Sequence, residues 1–342
     1  MAVTIYDIAK KAGCSPSAVS LAINNSKKVS EATRQRVLRI ASELGYTPNF
    51  SARSLKRSQT HMIGVIAPNL DNPLFCTMIS GITHVANNHG YSIVLGLSAG
   101  SLETEKYNIN MLSERRVDGL IVFPSFPDFI FPSFIDGIDN KKIPLVLCGL
   151  SNKSKNAINY VKCDNHKGGY IATEHLIKNG CNKIACICAT NEKTQASSRI
   201  AGYKQAHNNY GIFVDEHLIL FCSTDSQSIY DSTIDFVKKY NVDGIFCLYD
   251  FMALPVMRAV LSLGKRIPED VAIIGYDNID LSSNLVIPLS SVKTHAYEVG
   301  SLATEKLISE IKDPDFVIQP TVFEPELIVR QSSDKSHLNG HI

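Results

Sequence analysis

The chain has 342 residues, of which 44% are hydrophobic and 20% charged, with 34 Lys/Arg against 33 Asp/Glu for a formal net charge of +1. That length exceeds what one core usually spans, and the composition is globular. No apolar run is long enough to cross a bilayer, and nine cysteines without a two-residue-spaced pair read as reduced thiols in the cytoplasm.

The first fifty residues read as three short helices. Thr4 caps the first, with Asp7 three residues on to complete the box, and Ile5, Ile8, Ala9 and Ala12 fall on one face until Gly13 stops it. Ser15 and Pro16 restart a second helix, whose inward face is Val19, Ala22 and Ile23. Pro16, Ser17, Ser20, Leu21 and Asn24 are left on the outer side, an arrangement that a recognition helix in the DNA major groove needs. An ordinary helical hairpin is the competing reading of the two helices alone. A third helix fits Ser30 to Leu44, with Val37, Ile40, Ala41 and Leu44 inward and Gly45 closing it.

Charge separates this head from the rest. Residues 1–59 hold ten Lys/Arg and three acidic side chains, a net of +7, and the remainder holds 24 and 30, a net of −6. A basic head on an acidic body is expected where only the head meets phosphate. After Pro48 blocks continuation, Asn49 caps a short helix predicted over Phe50 to Lys56, polar and basic and ordered only on DNA.

The order Val3-Thr4-Ile5-Tyr6-Asp7-Ile8-Ala9, Ser15-Pro16-Ser17-Ala18-Val19-Ser20, Val29-Ser30-Glu31-Ala32-Thr33-Arg34 and Leu44-Gly45-Tyr46-Thr47-Pro48-Asn49 resembles the lactose/galactose repressor family, and the likeness runs along nearly the whole chain. It implies a helix-turn-helix domain over residues 1–46, a hinge over 47–59 and an effector-binding and dimerisation domain over 60–342. DNA contacts are then expected from Thr4, Tyr6, Ser15, Pro16, Ser17, Ser20, Leu21 and Asn24, and from Asn49, Ala52, Arg53 and Leu55 of the hinge helix. Leu55 is the residue that would wedge into the minor groove. Leu21 stands where many relatives carry an arginine that reads guanine, so the operator is expected to differ at that base pair.

From Met62 onward the pattern alternates between apolar strand and amphipathic helix. Met62 to Ile66, Ser92 to Leu97, Gly119 to Phe123 and Ile143 to Cys148 form one series; Lys183 to Ala189, Leu218 to Phe221, Gly244 to Leu248 and Val271 to Gly275 form another. Two such series imply two doubly wound parallel sheets. A helix near Tyr297 to Lys312 and a strand over Glu326 to Arg330 close the chain. The family resemblance gives the whole its architecture: an α-helical helix-turn-helix head plus a two-lobed α/β core of periplasmic-binding-protein type. It places lobe crossings near Val161 to Asp164, Pro288 to Val292 and Gln319 to Glu324. The first lobe then spans about 60–161 and 292–320, and the second about 163–288 and 321–332.

Ligands of open parallel sheets sit at the carboxyl ends of strands. One lobe there offers Asn69, Asp71, Asn72, Phe75, Ser98 and Ser125, the other Asn191, Tyr249, Asp250, Tyr276 and Asp277. Carboxylates, amides and aromatics together suit a polyhydroxylated ligand. The resemblance implies that Phe75 stacks on the effector and that Arg199 and Asp277 hydrogen-bond it, with Asp164 a weaker candidate at a crossing. For Arg199 the bland alternative is a solvent-exposed helix charge; for Asp250 it is a plain helix N-cap, and both readings of Asp250 stay open. Asn72, Phe75, Ser125, Arg199, Tyr249, Asp250 and Asp277 form the expected effector set. Tyr249 and Pro255 depart from the Asn and Gly common in the family, so that wall of the cleft is expected to differ. The segment Phe123 to Phe131 is unusually aromatic and reads equally as ligand contact, lobe packing or subunit contact.

Cys186 and Cys188 share a strand face near Cys181, where buried packing is favoured over zinc binding; no metal and no cofactor is expected. An enzyme is disfavoured because the chain has no phosphate-binding Gly-Lys loop and no Gly-x-Ser-x-Gly elbow, and Gly168-Gly169 lacks the rest of a dinucleotide fingerprint. A transport-linked solute-binding protein shares the cleft fold but has no use for a basic helical head and needs a signal peptide. The reading is therefore a cytoplasmic, dimeric, DNA-binding regulator, a repressor of carbohydrate genes controlled by a sugar. A purine- or sugar-phosphate-responsive regulator is the alternative within the family.

Overall fold

The computed structural model describes residues 3–46, 59–124, 143–149, 159–189, 193–313, 315–317 and 319–335. By internal contacts the chain divides into residues 1–60 and 61–342.

In the first unit, α1 (Ile5–Ala12), α2 (Pro16–Ile23) and α3 (Glu31–Glu43) pack around Ile8, Val19, Val37 and Ile40. Their ends are fixed locally. The Thr4 amide and hydroxyl donate to the Asp7 carboxylate at 2.9 and 2.7 Å, and these bonds hold Asp7 below the usual carboxylate range. Gly13 adopts φ 63°, which reverses the chain after one residue and lets Ser15 accept from the Ala18 amide at 3.2 Å. The hinge helix expected over Phe50 to Lys56 lies outside the described residues, as do Ser125 with the aromatic run that follows it, and Asn191.

The second unit holds two sheets of like winding. The first lobe contains β1 (Met62–Ala67), α4 (Pro73–Asn88), β2 (Ser92–Leu97), α5 (Leu102–Glu114), β3 (Gly119–Val122), β4 (Leu145–Cys148) and β5 (Asn159–Cys163). The second contains α6 (Asn165–Lys178), β6 (Ile184–Ala189), α7 (Lys193–Asn209), β7 (Ile219–Cys222), α8 (Ser226–Tyr240), β8 (Gly244–Cys247), α9 (Asp250–Ser262), β9 (Ala272–Asp277), α10 (Asp280–Ser283) and β10 (Ser290–Lys293). The chain then returns to the first lobe as α11 (Ala296–Lys312) and β11 (Thr321–Phe323), and ends in the second as β12 (Glu326–Ile328). Strand orders are β11-β5-β4-β3-β1-β2 and β12-β10-β9-β8-β6-β7, parallel except for β12 against β10. Winding reverses between β1 and β3 in one sheet and between β6 and β8 in the other, so both sheets have a switch point at their carboxyl ends.

Two crossings lie later than the sequence reading placed them. β10 extends the second sheet, with Ser290 beside Ile274 and Lys293 beside Asp277, so the chain leaves that lobe only at Thr294–His295. β11 pairs with β5, Thr321 beside Val161, so the last crossing is Glu324–Pro325 and residues 321–323 belong to the first lobe. A segment bonded into a sheet cannot cross until its last paired residue, and strands of three or four residues are too short to show a periodicity.

Glycines set how closely helices approach. A Cβ on Gly202 of α7 would collide with the carbonyl oxygen of His166 and stand 2.6 Å from the Tyr170 nitrogen, both on α6; one on Gly169 would meet the Arg199 carbonyl. The Gly168-Gly169 pair is thus a packing surface: Gly169 lies against α7, and Gly168 admits the Tyr276 phenol. Gly202→Ala is expected to lower stability by about 1–3 kcal/mol through overpacking, read as a lower urea midpoint at unchanged slope. A wild-type midpoint would show that α6 and α7 separate freely.

Candidate functional site

On the head, the residues expected to meet DNA occupy its surface. Thr4, Ser15, Ser17 and Asn24 are exposed, Tyr6 is 69% exposed, and Pro16, Ser20 and Leu21 are half-buried. Leu21 lies outside the head's apolar cluster although it is apolar, which leaves its side chain available to an outside partner. Asn24 donates its amide back to the Ser20 carbonyl at 2.7 Å, a bond that a base contact would have to replace. Lys10, Lys27, Lys28 and Arg36 are also exposed and supply the positive field.

Between the lobes of the second unit lies a cleft with about 390 Å³ of atom-free space, open solvent included. Its first-lobe wall is apolar. Leu74, Phe75 and Met78 come from the first half of α4, Phe123 from just past β3, and Val299 from α11. Phe75 meets Phe123 edge to face, with centroids 5.8 Å apart at 73°. Its polar side is Arg199, Asn165, Lys162 and Thr294, with Cys148, Gly149 and Cys163 between. Burial pushes the Cys163 thiol up to about 12, so that part of the wall is neutral and unreactive at ordinary pH.

Arg199 is 1% exposed, which disposes of the exposed-helix reading. A guanidinium without water needs its donors satisfied. Its Nε donates to Asn165 Oδ1 at 2.9 Å, one terminal nitrogen to the Leu248 carbonyl, and the other to Asp277 Oδ1 at 3.3 Å. Its Cζ lies 3.6 Å from the Tyr276 ring centroid and 4.7 Å from that of Tyr249. Tyr276 in turn donates its hydroxyl to the same Asn165 oxygen at 3.2 Å.

The structure rearranges the rest of the expected set. Of the seven residues, Phe75 and Arg199 line the cleft. Asp277 and Tyr249 stand behind Arg199, the first as its ion-pair partner and the second as a ring between Arg199 and Phe251, whose centroid is 5.5 Å from its own. Asn72 caps α4, its side-chain oxygen accepting from the Leu74 amide at 3.0 Å, and Asp164 caps α6 in the same way. The N-cap reading of Asp250 is corrected. Tyr249 is the N-cap, and the Asp250 carboxylate is 0% exposed and not among the groups that line the cleft. Its Oδ2 accepts from the Ile279 amide at 2.9 Å and the Ser282 hydroxyl at 2.7 Å, and its Oδ1 from the Ser291 hydroxyl at 2.7 Å.

Sequence reading missed Lys162 and Cys163 as cleft residues because it took their segment for a bare crossing, and Thr294 because it ended the next crossing at Val292. Thr294 is 4% exposed and its hydroxyl has no partner among the described residues. It was legible only as the first residue after a strand that the pattern did not show.

A three-helix head of the helix-turn-helix kind, with a second unit whose two doubly wound lobes enclose a polar-floored cleft, defines a ligand-controlled DNA-binding regulator. Comparison with known proteins agrees. Residues 4–49 match the family model "Bacterial regulatory proteins, lacI family", and residues 173–333 match "Periplasmic binding protein-like domain". The HTH-type transcriptional repressor PurR of Aliivibrio fischeri (strain MJ11) is 33% identical over 333 residues, covering 96% of this chain and 98% of that one. Among solved structures, the lac repressor dimer bound to operator and the anti-inducer ONPF has a TM-score of 0.87 at 25% identity, covering 97% and 99%. The CelR–cellobiose complex has 0.72 at 27%, covering 97% and 100%. The chain belongs to the lacI family of bacterial regulatory proteins and is a DNA-binding transcriptional regulator.

Asp250 gives a pH signature. Burial, opposed by its three hydrogen bonds, pushes its carboxyl from 3.8 up to about 6. The folded state therefore holds this proton more tightly than the unfolded chain, and the stability it confers is present below pH 4 and lost as pH rises through about 6. Relative to Asp250→Asn, the wild type should lose about 3 kcal/mol between these limits, measured by urea unfolding at each pH. Parallel stability profiles for the two proteins would contradict the burial argument.

Proposed function

We propose that this chain is a cytoplasmic repressor, without enzymatic activity, that binds a palindromic operator as a homodimer and is controlled by a small sugar held in the interlobe cleft. The observation that carries the effector class is the composition of the cleft. An aromatic wall of Phe75 and Phe123 faces a floor where the Arg199 guanidinium and the Thr294 hydroxyl converge. A ring with one apolar face and several hydroxyls suits both sides, stacking on Phe75 while its hydroxyls accept from Arg199 and exchange hydrogen bonds with Thr294. The cellobiose bound in the related CelR structure supports a carbohydrate.

A purine base is the second reading. A planar ring fits between Phe75 and the Arg199 floor, and relatives named PurR align over 96% of the chain. The two readings separate in one thermal-shift and calorimetry panel of maltose, cellobiose, D-ribose, glucose 6-phosphate and hypoxanthine. Stabilisation by a neutral sugar supports the first reading, and by hypoxanthine alone the second. With the ligand so found, Arg199→Lys should weaken binding by roughly 2 kcal/mol, because a single ammonium nitrogen cannot reach the separated acceptors that the planar guanidinium meets from three nitrogens. Wild-type affinity in that variant would remove Arg199 from the site.

A further inference from the structure

The turn that follows β9 is strained. Asp277 has φ 104° and Asn278 φ 51°, positions that side-chain-bearing residues seldom take and hold only when their surroundings over-determine them. Two sets of bonds do so. On one side the Asn278 amide donates to the Ser291 hydroxyl oxygen at 2.9 Å, and the Ile279 amide donates to Asp250, which also receives the Ser291 hydroxyl. On the other, Arg330 donates from one terminal nitrogen to Asn278 Oδ1 at 2.8 Å and from the other to the Leu289 carbonyl at 2.7 Å. Gly275, within β9, makes room for the Asp250 carboxylate, since a Cβ there would occupy its oxygen.

The turn reaches the cleft through the Asp277 carboxylate, bonded to Arg199. Asp250 and Arg330 are not among the residues that line the cavity. We propose that Asp250 and Arg330 are positioning residues for effector binding: they clamp the Asp277–Asn278 turn in its left-handed conformation and so aim Asp277 at Arg199. The proposal rests on the cleft reading given above. It adds that the effector site is set from outside the cleft, and that one clamp arm, Arg330, lies just beyond the last lobe crossing and β12.

Because both residues act through Asp277, their effect must vanish when Asp277 no longer carries its charge. The test is a double-mutant cycle of Arg330→Met and Asp277→Asn, with each protein titrated by calorimetry against maltose, D-ribose, glucose 6-phosphate and hypoxanthine well below its unfolding temperature. Each single variant should lose roughly tenfold in affinity for the probe that binds wild type, and the double variant no more than either alone. Asp250→Ala should behave like Arg330→Met, while Asp250→Asn, which keeps one acceptor oxygen and gains a donor toward Ser291, should restore most of the affinity. A purely structural role predicts a lower urea midpoint with wild-type affinity, and that result overturns the proposal. Losses that add in the double variant overturn it too, since Arg330 would then act independently of Asp277. Undiminished binding in Asp277→Asn, or no binding of any probe to wild type, removes the cleft reading and the clamp with it.

Discussion

Burying one guanidinium constrains most of the second lobe. Arg199 lies midway along α7, yet its donors end on a side chain at the start of α6, a carbonyl just past β8 and a carboxylate at the end of β9. Four segments far apart in sequence must therefore meet at one point. The glycine contacts between α6 and α7 bring the helix within reach, and the parallel sheet brings the two strand ends side by side. Removing the Asp277 carboxylate leaves the buried guanidinium without its counter-charge, a loss of about 3–5 kcal/mol for buried pairs of this kind. Such a centre is rigid, so a ligand that engages it reads a fixed geometry.

The opposite wall is of another character. Phe75 and Phe123 belong to an apolar cluster in which α4 and α11 pack closely enough that a Cβ on Gly300 would collide with the Met78 carbonyl. A cleft with one hydrocarbon wall and one hydrogen-bonding wall selects ligands that are themselves two-faced. It also gives a ligand a reason to draw the lobes together, because neither wall alone satisfies it. A ligand can shift a two-state equilibrium only by its difference in affinity for the two states, and contacts divided between lobes supply that difference.

Much of this was legible in the sequence where the signal is local. The caps at Thr4, Ser15 and Ser30, the left-handed Gly13 and the apolar runs of the eight strands first predicted report on their own few residues. Arg199 and Phe75 were legible through family motifs, since helical spacing says nothing of a charge's partners thirty to eighty residues away. The short strands β5, β10 and β11 were not, because three to five residues carry no period and the strands they pair with lie elsewhere in the sequence. Asp250 misled for a physical reason. A carboxylate after a strand and before a helix suits a ligand site or a cap equally well, and its true partners, Ser282 and Ser291, lie 32 and 41 residues on.

The central claim is that cleft occupancy and operator binding are linked in one protein. The direct measurement is operator affinity, by fluorescence anisotropy at fixed salt on a palindrome selected from random-sequence DNA, as a function of the ligand that binds the cleft. Linkage requires that the ligand change operator affinity, by roughly 5- to 150-fold in typical couplings, and that operator DNA change ligand affinity by the same factor. A ligand that saturates the cleft while operator affinity stays constant would contradict the account.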